Sequence, residues 1–485
     1  MRVAVVFSIF LTIRVANTIS DKFFPPDFVF GVSTSAYQIE GAWNLSGKGE
    51  SMLDYLSHTY PNSITDRSNG DIACDSYHKI DEDIEMLKHL GVNFYRFSLS
   101  WSRILPTGSI EGGVNLAGVK YYSDMLDKLK AAKIDAMVTL VHFDVPIGFI
   151  KEKMFRTEKL NQMFVDYARL AFNLFGDRVK YWLTINEPAG FSKDEMRTFY
   201  TDRGRDVYLT AHNIIKCHAA IYHLYNKEFR EQQGGKLSIA LNTDWYEPAS
   251  DSKEDIEAAE RALMFEFGWI AHPLIYGDYP EIMKKAIASS PSPLRLPVFT
   301  YEEKETIKDT VDFIALNHYS SFLTTNDPNK DVDRTFDKDI GILKTLDPSW
   351  ETTILDWLHV APSGMRKVLN WINKTYGNKP ILITENGYVE GGTLKDDRRI
   401  NYLQTYLSSV LDAIYIDNIN VIGYSTWSLM DNWELYSGYS AKFGLYYVNF
   451  TSPNRERIAK DSVGFYKNVL ESRHLVNNRN AGNHV

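Results

Sequence analysis

The chain predicts an α/β fold, a single-domain (β/α)8 TIM barrel whose working groups gather at the C-terminal ends of its strands. Three observations predict it. Short β-branched or aromatic runs are each followed by a polar turn and a helix-period segment, and this unit recurs eight times. No linker or low-complexity break interrupts the series. Polar and aromatic groups fall at the ends of the apolar runs, where a barrel builds its site. An open, doubly wound sheet is the rival; it calls for a glycine-rich phosphate turn after the first strand, and none is present.

In chain order, Phe28–Ser35 is the first strand and Ser76–Leu90 its helix. Val92–Ser100 with Leu116–Lys133, Asp135–Phe143 with Leu160–Phe175, and Tyr181–Glu187 with Thr210–Phe229 make the next three units. Lys236–Thr243 is followed by Asp255–Trp269, and Val311–Tyr319 by Met365–Tyr376. Lys379–Glu385 with Arg399–Ile416 and Val421–Leu429 with Lys460–Glu471 close the series. Strands buried on both faces should be almost continuously apolar, and Ile381-Leu382-Ile383 and Ala136-Met137-Val138-Thr139-Leu140-Val141 are.

A length of 485 residues would ordinarily suggest two or three domains, but barrels often run this long as one. Residues 1–20 read as a signal peptide and 21–485 as the barrel. Arg2 gives a positive start, Val3 to Ile13 is an apolar run, and cleavage falls between Ala16 and Asp21. A buried N-terminal strand or helix is the alternative for this stretch. The run is too short to span a bilayer, and no later stretch is long enough, so no membrane partner is expected. The sequons at Asn44, Asn373 and Asn449 are compatible with secretion into an extracellular space such as a gut lumen, although sequons also arise by chance. A net charge of −9 argues against a nucleic-acid partner. Cys74 and Cys217 are the only cysteines; they are either one disulfide or two buried thiols.

The chemistry is carried by two glutamates. Glu187 ends Trp182-Leu183-Thr184-Ile185-Asn186 and precedes Pro188, and Glu385 ends Ile381-Leu382-Ile383-Thr384 and precedes Asn386-Gly387. A carboxylate at the end of a buried strand is costly to keep ionised, so two of them, each beside an asparagine, suggest a paired-carboxylate site. Glycoside hydrolysis is the chemistry most dependent on such a pair. Two strand-end carboxylates held in structural ion pairs would be the plain alternative. Other strand ends argue against it. Gln38 and Glu40 lie past the first strand, Arg96 on the second, and His142 at the end of the third. Asn186 and Glu187 end the fourth, Asn317 and Tyr319 the sixth, Glu385 the seventh, and Trp427 lies near the end of the eighth. Seven of eight strands deliver such a group to one rim, which packing alone does not explain.

These stretches resemble glycoside hydrolase family 1, the family of β-glucosidases and related enzymes, and within it the secreted insect β-glucosidases and myrosinases. The likeness runs from about Phe23 to Lys467. It rests on Phe30 to Gly41, Tyr95 to Ile104, Asn186-Glu187-Pro188, Thr384-Glu385-Asn386-Gly387, and Trp427 to Glu434. The resemblance implies Glu385 as nucleophile and Glu187 as acid, then base, about 5–5.5 Å apart as retention requires. Arg96 and Tyr319 would keep Glu385 ionised. Gln38, His142, Asn186, Asn317, Tyr319 and Glu434 would hold the sugar, with Trp427 beneath its ring. A small-molecule glycoside is the implied partner, no metal or organic cofactor is implied, and a homodimer is compatible with the pattern.

Three departures bear on specificity. The family generally has Phe, then Glu-Trp, where this chain has Trp433-Glu434-Leu435; an indole donor is lost at Leu435, and Trp433 is expected to add bulk. Phe143 and His318 replace the usual Trp and Tyr. Ala189 to Val207 lacks the usual Gly- and Pro-containing stretch, which points to a specialised leaving-group site. The lead function is a retaining β-glucosidase on small aglycones or short oligosaccharides. A thioglucosidase is the runner-up. Lys193 stands where those enzymes carry a sulfate-binding lysine, but Phe322 stands where their arginine is expected; Lys193 could equally be a solvated loop lysine. A transglycosylase and a catalytically silent binding module are further alternatives, and the latter should have lost a glutamate.

Overall fold

The computed structural model describes residues 19–289, 295–328 and 335–475. The expected signal peptide lies outside the described residues except for its last two positions. No helix among the described residues is long and apolar enough to cross a membrane.

Eight strands close into a barrel: β1 (Val29–Ser33), β2 (Phe94–Ser98), β3 (Asp135–Val141), β4 (Val179–Asn186), β5 (Lys236–Asn242), β6 (Ile314–Asn317), β7 (Ile381–Glu385) and β8 (Val421–Trp427). Each pairs in parallel with its neighbours in sequence, and β8 returns to β1 through Val29↔Gly423 to Ser33↔Trp427. All eight expected strands are present. The expected helices are too, with shifted ends. Helix α1 (Ile80–Leu90) has Asp81, Glu82 and Asp83 in its first turn, Lys88 and His89 in its last, and stops at Gly91, whose φ of 74° suits a residue without Cβ. Helix α2 (Leu116–Ala131) starts under the Asn115 cap. Helix α4 (Arg203–Glu228), after α3 (Lys159–Phe175), begins seven residues earlier than periodicity suggests, because Asp202 caps it through Gly204 N–H at 3.1 Å.

The fifth helical segment differs most from expectation. It runs as α5 (Lys253–Leu263), passes through a wide π-type turn at Met264–Gly268, and continues as α6 (Trp269–Tyr276). That turn carries Glu266 toward the barrel mouth. Helices α7 (Pro362–Tyr376), α8 (Asp397–Tyr415) and α9 (Asp461–Ser472) complete the outer layer. A three-stranded sheet of Trp245–Pro248, Ser321–Asn326 and Ile342–Thr345 was not expected from the sequence; it lies outside the barrel.

Side chains alternate along the strands, and that alternation makes two apolar regions. Tyr95, Val138, Trp182, Ile239, Ile314 and Ile381 pack outward under the helices. Phe94, Met137, Leu183, Ala240, Ala315 and Leu382 form a separate cluster that plugs the barrel interior. Two residues further along five of these six strands the inward positions become polar: Arg96, Thr139, Asn242, Asn317 and Thr384; on β4 the register shift after Leu183 interrupts the alternation. The plug is therefore the floor of a polar chamber. Cys74 and Cys217 are both buried free thiols.

Behind the chamber, Lys460 Nζ meets Asp431 Oδ1 at 2.7 Å with both side chains fully buried. This pair ties the start of α9 to the loop after β8, which carries Asn432 and Glu434. Lys460→Met should cost about 3–5 kcal/mol in a urea melt, because Asp431 would be left as an uncompensated buried charge. Adding Asp431→Leu should recover much of that loss. A single-variant cost below about 1 kcal/mol, the scale of an exposed pair, would show that the pair does not anchor the loop.

Candidate active site

Strands β4 and β7 bring Glu187 and Glu385 to the chamber, and each strand is irregular just before its glutamate. The β4–β5 register shifts between Leu183 and Asn186, and the β7–β6 register between Ile383 and Glu385. Strict alternation from Leu382 would turn Thr384 inward and Glu385 away. The shift lets both act inside the barrel. Glu187 also takes a left-handed backbone (φ 46°, ψ 60°), which costs a non-glycine residue roughly 1–2 kcal/mol. Its N–H donates to Ala240 O at 2.9 Å and its carbonyl accepts from Phe191 N–H at 2.8 Å, which hold the strained turn.

Arg96 connects the two halves. Its Nη1 donates to Glu385 Oε1, and its Nη2 donates to Asn186 Oδ1 at 2.6 Å. Tyr319 Oη donates to Glu385 Oε2 at 2.7 Å, so both carboxylate oxygens of Glu385 are engaged. Asn317 Nδ2 donates to Asn186 Oδ1 at 3.1 Å and to Glu187 Oε1 at 2.7 Å, while Thr384 Oγ1 fixes Asn317 Oδ1 at 2.7 Å. The glutamates thus sit in one hydrogen-bonded ring with different charge environments. Burial, then the charge of Glu385, pushes Glu187 up to about 8, against the pull of Asn317 and Arg96. Glu187 holds its proton at neutral pH. A protonated carboxyl facing a carboxylate gripped by a guanidinium can do acid and nucleophilic work on one bond.

The other expected residues are tied to one another beside the carboxyl pair. His142 stacks on Trp427 with ring centres 5.7 Å apart and a 15° tilt. Burial and Arg96 depress His142, so its ring is neutral; Nε2 meets Asn186 at 3.2 Å and buried Nδ1 has no partner in the protein. Gln38 Nε2 donates to Asn432 Oδ1 at 3.0 Å and its Oε1 accepts from Ser35 at 2.6 Å. Trp427 Nε1 donates to Glu434 Oε2 at 3.3 Å. Burial pushes Glu434 up to about 8 as well.

Several expectations are corrected. Glu40 does not reach the chamber; it pairs with Arg103 Nε at 2.8 Å and accepts from Tyr122 Oη at 2.6 Å, bracing the first loop. Trp433 adds no bulk to the cavity, since its buried indole packs edge-on to Tyr37 and donates to Ser68 Oγ at 3.1 Å. Leu435 does line the cavity, in a left-handed conformation (φ 47°). Lys193 is no solvated loop lysine. It lines the cavity and its Nζ lies 2.5 Å from Glu266 Oε2. Of the sequons, Asn44 is exposed in a loop, Asn449 is half-buried with its side chain accepting from Thr451, and Asn373 is half-buried in α7.

The sequence reading missed Asn242. It ends β5, the one strand without an assigned group, beside Glu187, and its buried Oδ1 has no partner. Its strand-end position was the available signal. The cavity, about 710 Å³, also extends outward past Asp244, Tyr246, Lys344 and Trp357, none of which ends a barrel strand.

A (β/α)8 barrel with a carboxyl pair in a hydrogen-bonding chamber is the architecture of a glycosidase. The comparisons agree. The family model described as Glycosyl hydrolase family 1 matches residues 20–475. The chain is 42% identical over 465 residues to Myrosinase 1 of Brevicoryne brassicae, covering 93% of this chain and 99% of that protein. It is 42% identical over 462 residues to human lactase/phlorizin hydrolase, covering 92% of this chain and 24% of that longer protein. The solved structure of an aphid myrosinase superposes with a TM-score of 0.88 at 41% identity, covering 93% of this chain and 100% of that one. The chain belongs to glycoside hydrolase family 1, and it is a retaining β-glycosidase.

The coupling between the two carboxyls is open to direct measurement. In carbon-13 NMR of glutamate-labelled free protein, the Glu187 carboxyl should titrate near 8 in the wild type. Glu385→Gln removes the like charge that disfavours ionisation, so the Glu187 midpoint should move down. A midpoint that stays or rises would mean the two groups do not face each other.

Proposed function

We propose that the enzyme hydrolyses terminal β-D-glucosides of small aglycones or short oligosaccharides by double displacement. Glu385 attacks the anomeric carbon while Glu187 gives its proton to the leaving oxygen. Glu187, then ionised, takes a proton from the water that releases the sugar from Glu385, and both carboxyls return to their starting states. The observation that carries this is the unequal pair: one carboxylate held at both oxygens by Arg96 and Tyr319, the other pushed up to about 8. Gln38, His142, Asn186, Asn317 and Glu434 hold hydroxyls, with Trp427 under the ring; Asn242 joins the group beside the scissile bond. Glucose is the favoured sugar because Gln38, His142 and Glu434 are all kept.

Cleavage of S-glucosides is the second reading, and the presence of Lys193 in the outer cavity favours it. Its ion pair with Glu266 and the ring of Phe322 on the same wall weigh against a sulfate there. The O-glucoside reading therefore leads. The same proposal extends to secretion after removal of residues 1–20, with glycosylation at exposed Asn44 first among the sequons.

Glu385→Gln should abolish turnover of aryl β-glucosides in a folded protein, and a fluoroglucoside inactivator should label Glu385 in the wild type. Labelling elsewhere sinks the assignment. Glu187→Ala should slow substrates with poor leaving groups about 10²–10⁴-fold and activated ones far less, with azide rescuing the rate and giving a β-glycosyl azide. An α-azide would contradict double displacement. Leu435→Trp should shift the ratio of glucoside to galactoside or fucoside hydrolysis; an unchanged ratio would remove Leu435 from the sugar site.

A further inference from the structure

Beyond Glu187, the leaving-group half of the cavity carries a charge pattern unsuited to an anion. Its wall presents four carboxylates, Asp194, Asp244, Glu266 and Asp356, against two ammonium groups, Lys193 and Lys344. Lys193 is consumed by Glu266 at 2.5 Å. Lys344 lies 5.3 Å over the ring of Tyr246 and 5.2 Å over that of Phe322, and donates to Tyr246 Oη at 3.3 Å. Among the described residues, Asp244 makes no ion pair. Its carboxyl opens onto the cavity near enough to Glu187 for its charge to strengthen that proton's hold. Burial pushes Asp244 up to about 6 while Lys344 pulls it back, so most of it is ionised at neutral pH. Aromatic walls around a surplus of one charge sign focus its field on whatever enters.

We propose that this half of the site selects cationic leaving groups, aglycones bearing a protonated amine, with Asp244 as the specificity-determining residue. The inference rests on the β-glucosidase reading and names its substrate class. The ammonium meets the Asp244 carboxylate, and the apolar part of the aglycone lies along Phe322 and Tyr246. Bond making and breaking are unchanged: Glu187 protonates the glycosidic oxygen, the C–O bond to the sugar breaks, and the amine keeps its own proton throughout.

The test uses three aryl β-D-glucosides whose charges are insulated from the phenol by a methylene: 4-(aminomethyl)phenyl, 4-(hydroxymethyl)phenyl and 4-(carboxymethyl)phenyl. At pH 7 and low salt, kcat/KM should fall in that order, with about tenfold between cation and anion, and added salt should narrow the spread. Asp244→Asn should collapse the ratio of cationic to neutral substrate, and Asp244→Glu should restore part of it. Glu266→Gln, which frees Lys193, should shift the ratio toward the anion. A wild-type order with the anion first, or a ratio that Asp244→Asn leaves in place, overturns the proposal. Calorimetric binding of the three free phenols separates the two readings. If the cationic phenol binds best but no glucoside is cleaved, the glucosidase reading falls and the charge selection stands. If the neutral glucoside is cleaved and the phenols bind alike, the selection falls and the glucosidase reading stands.

Discussion

A buried guanidinium governs the centre of this molecule. Arg96 has no exposed surface, and a positive charge withdrawn from water must find acceptors in a fixed array. It finds them on two other strands: the Glu385 carboxylate and Thr384 carbonyl of β7, and the Asn186 side chain of β4. One residue on β2 thus sets the distance and orientation of both strands that carry the reactive carboxyls. Its Nε has no protein partner, so the array is one bond short of complete. Removing Glu385 or Asn186 would leave the guanidinium with fewer acceptors. The contacts that hold the carboxyl pair are therefore also contacts between strands β2, β4 and β7.

The chamber around Arg96 follows from the period of the strands. A strand that places Phe94 in the interior plug must place Arg96 in the layer above it, and the same step carries Met137 to Thr139, Ala315 to Asn317 and Leu382 to Thr384. That is why the fold and most of the rim were legible in the sequence. Apolar runs ending in a polar group betray both the barrel and the end of it that works. Asn242 obeys the same rule, at the end of the one strand to which no group is assigned from the sequence. What alternation could not convey was the aim of the glutamates. Glu385 reaches the chamber through a slip in pairing with β6, and Glu187 through a slip against β5 and a left-handed turn. Such irregularities depend on the neighbouring strand, and a period read along one strand is blind to them.

Charge partners were equally hidden. Glu40 and Lys193 both looked like free groups at the rim, since each follows a strand end. Each instead meets a partner distant in sequence: Arg103 for Glu40, and Glu266 for Lys193. Glu266 arrives on the π-type turn between α5 and α6, which helical periodicity reads as continuous helix. Trp433 misled for a different reason. Its neighbour Glu434 enters the cavity, but the indole turns back to Tyr37 and Ser68, so adjacent residues in one loop serve the site and its support.

These contrasts divide the cavity into two regions with different physical origins. The half proposed to hold the sugar is built on strand ends locked by the hydrogen bonds around Arg96, where a displaced side chain would break several buried hydrogen bonds at once. The leaving-group half is built from segments outside the barrel: Lys193 after β4, Asp244 after β5, Glu266 on its turn, Phe322 and Lys344 on the outer sheet, and Trp357 in the loop before α7. There the residues are held by ring and charge contacts among themselves, and they touch the carboxyl pair only through the charge of Asp244 on Glu187 and the packing of Trp357 on Tyr319. On the proposed reading, retention would rest on the first region. The identity of the aglycone would, on the same reading, be decided in the second, by charges and rings that only the folded chain brings together.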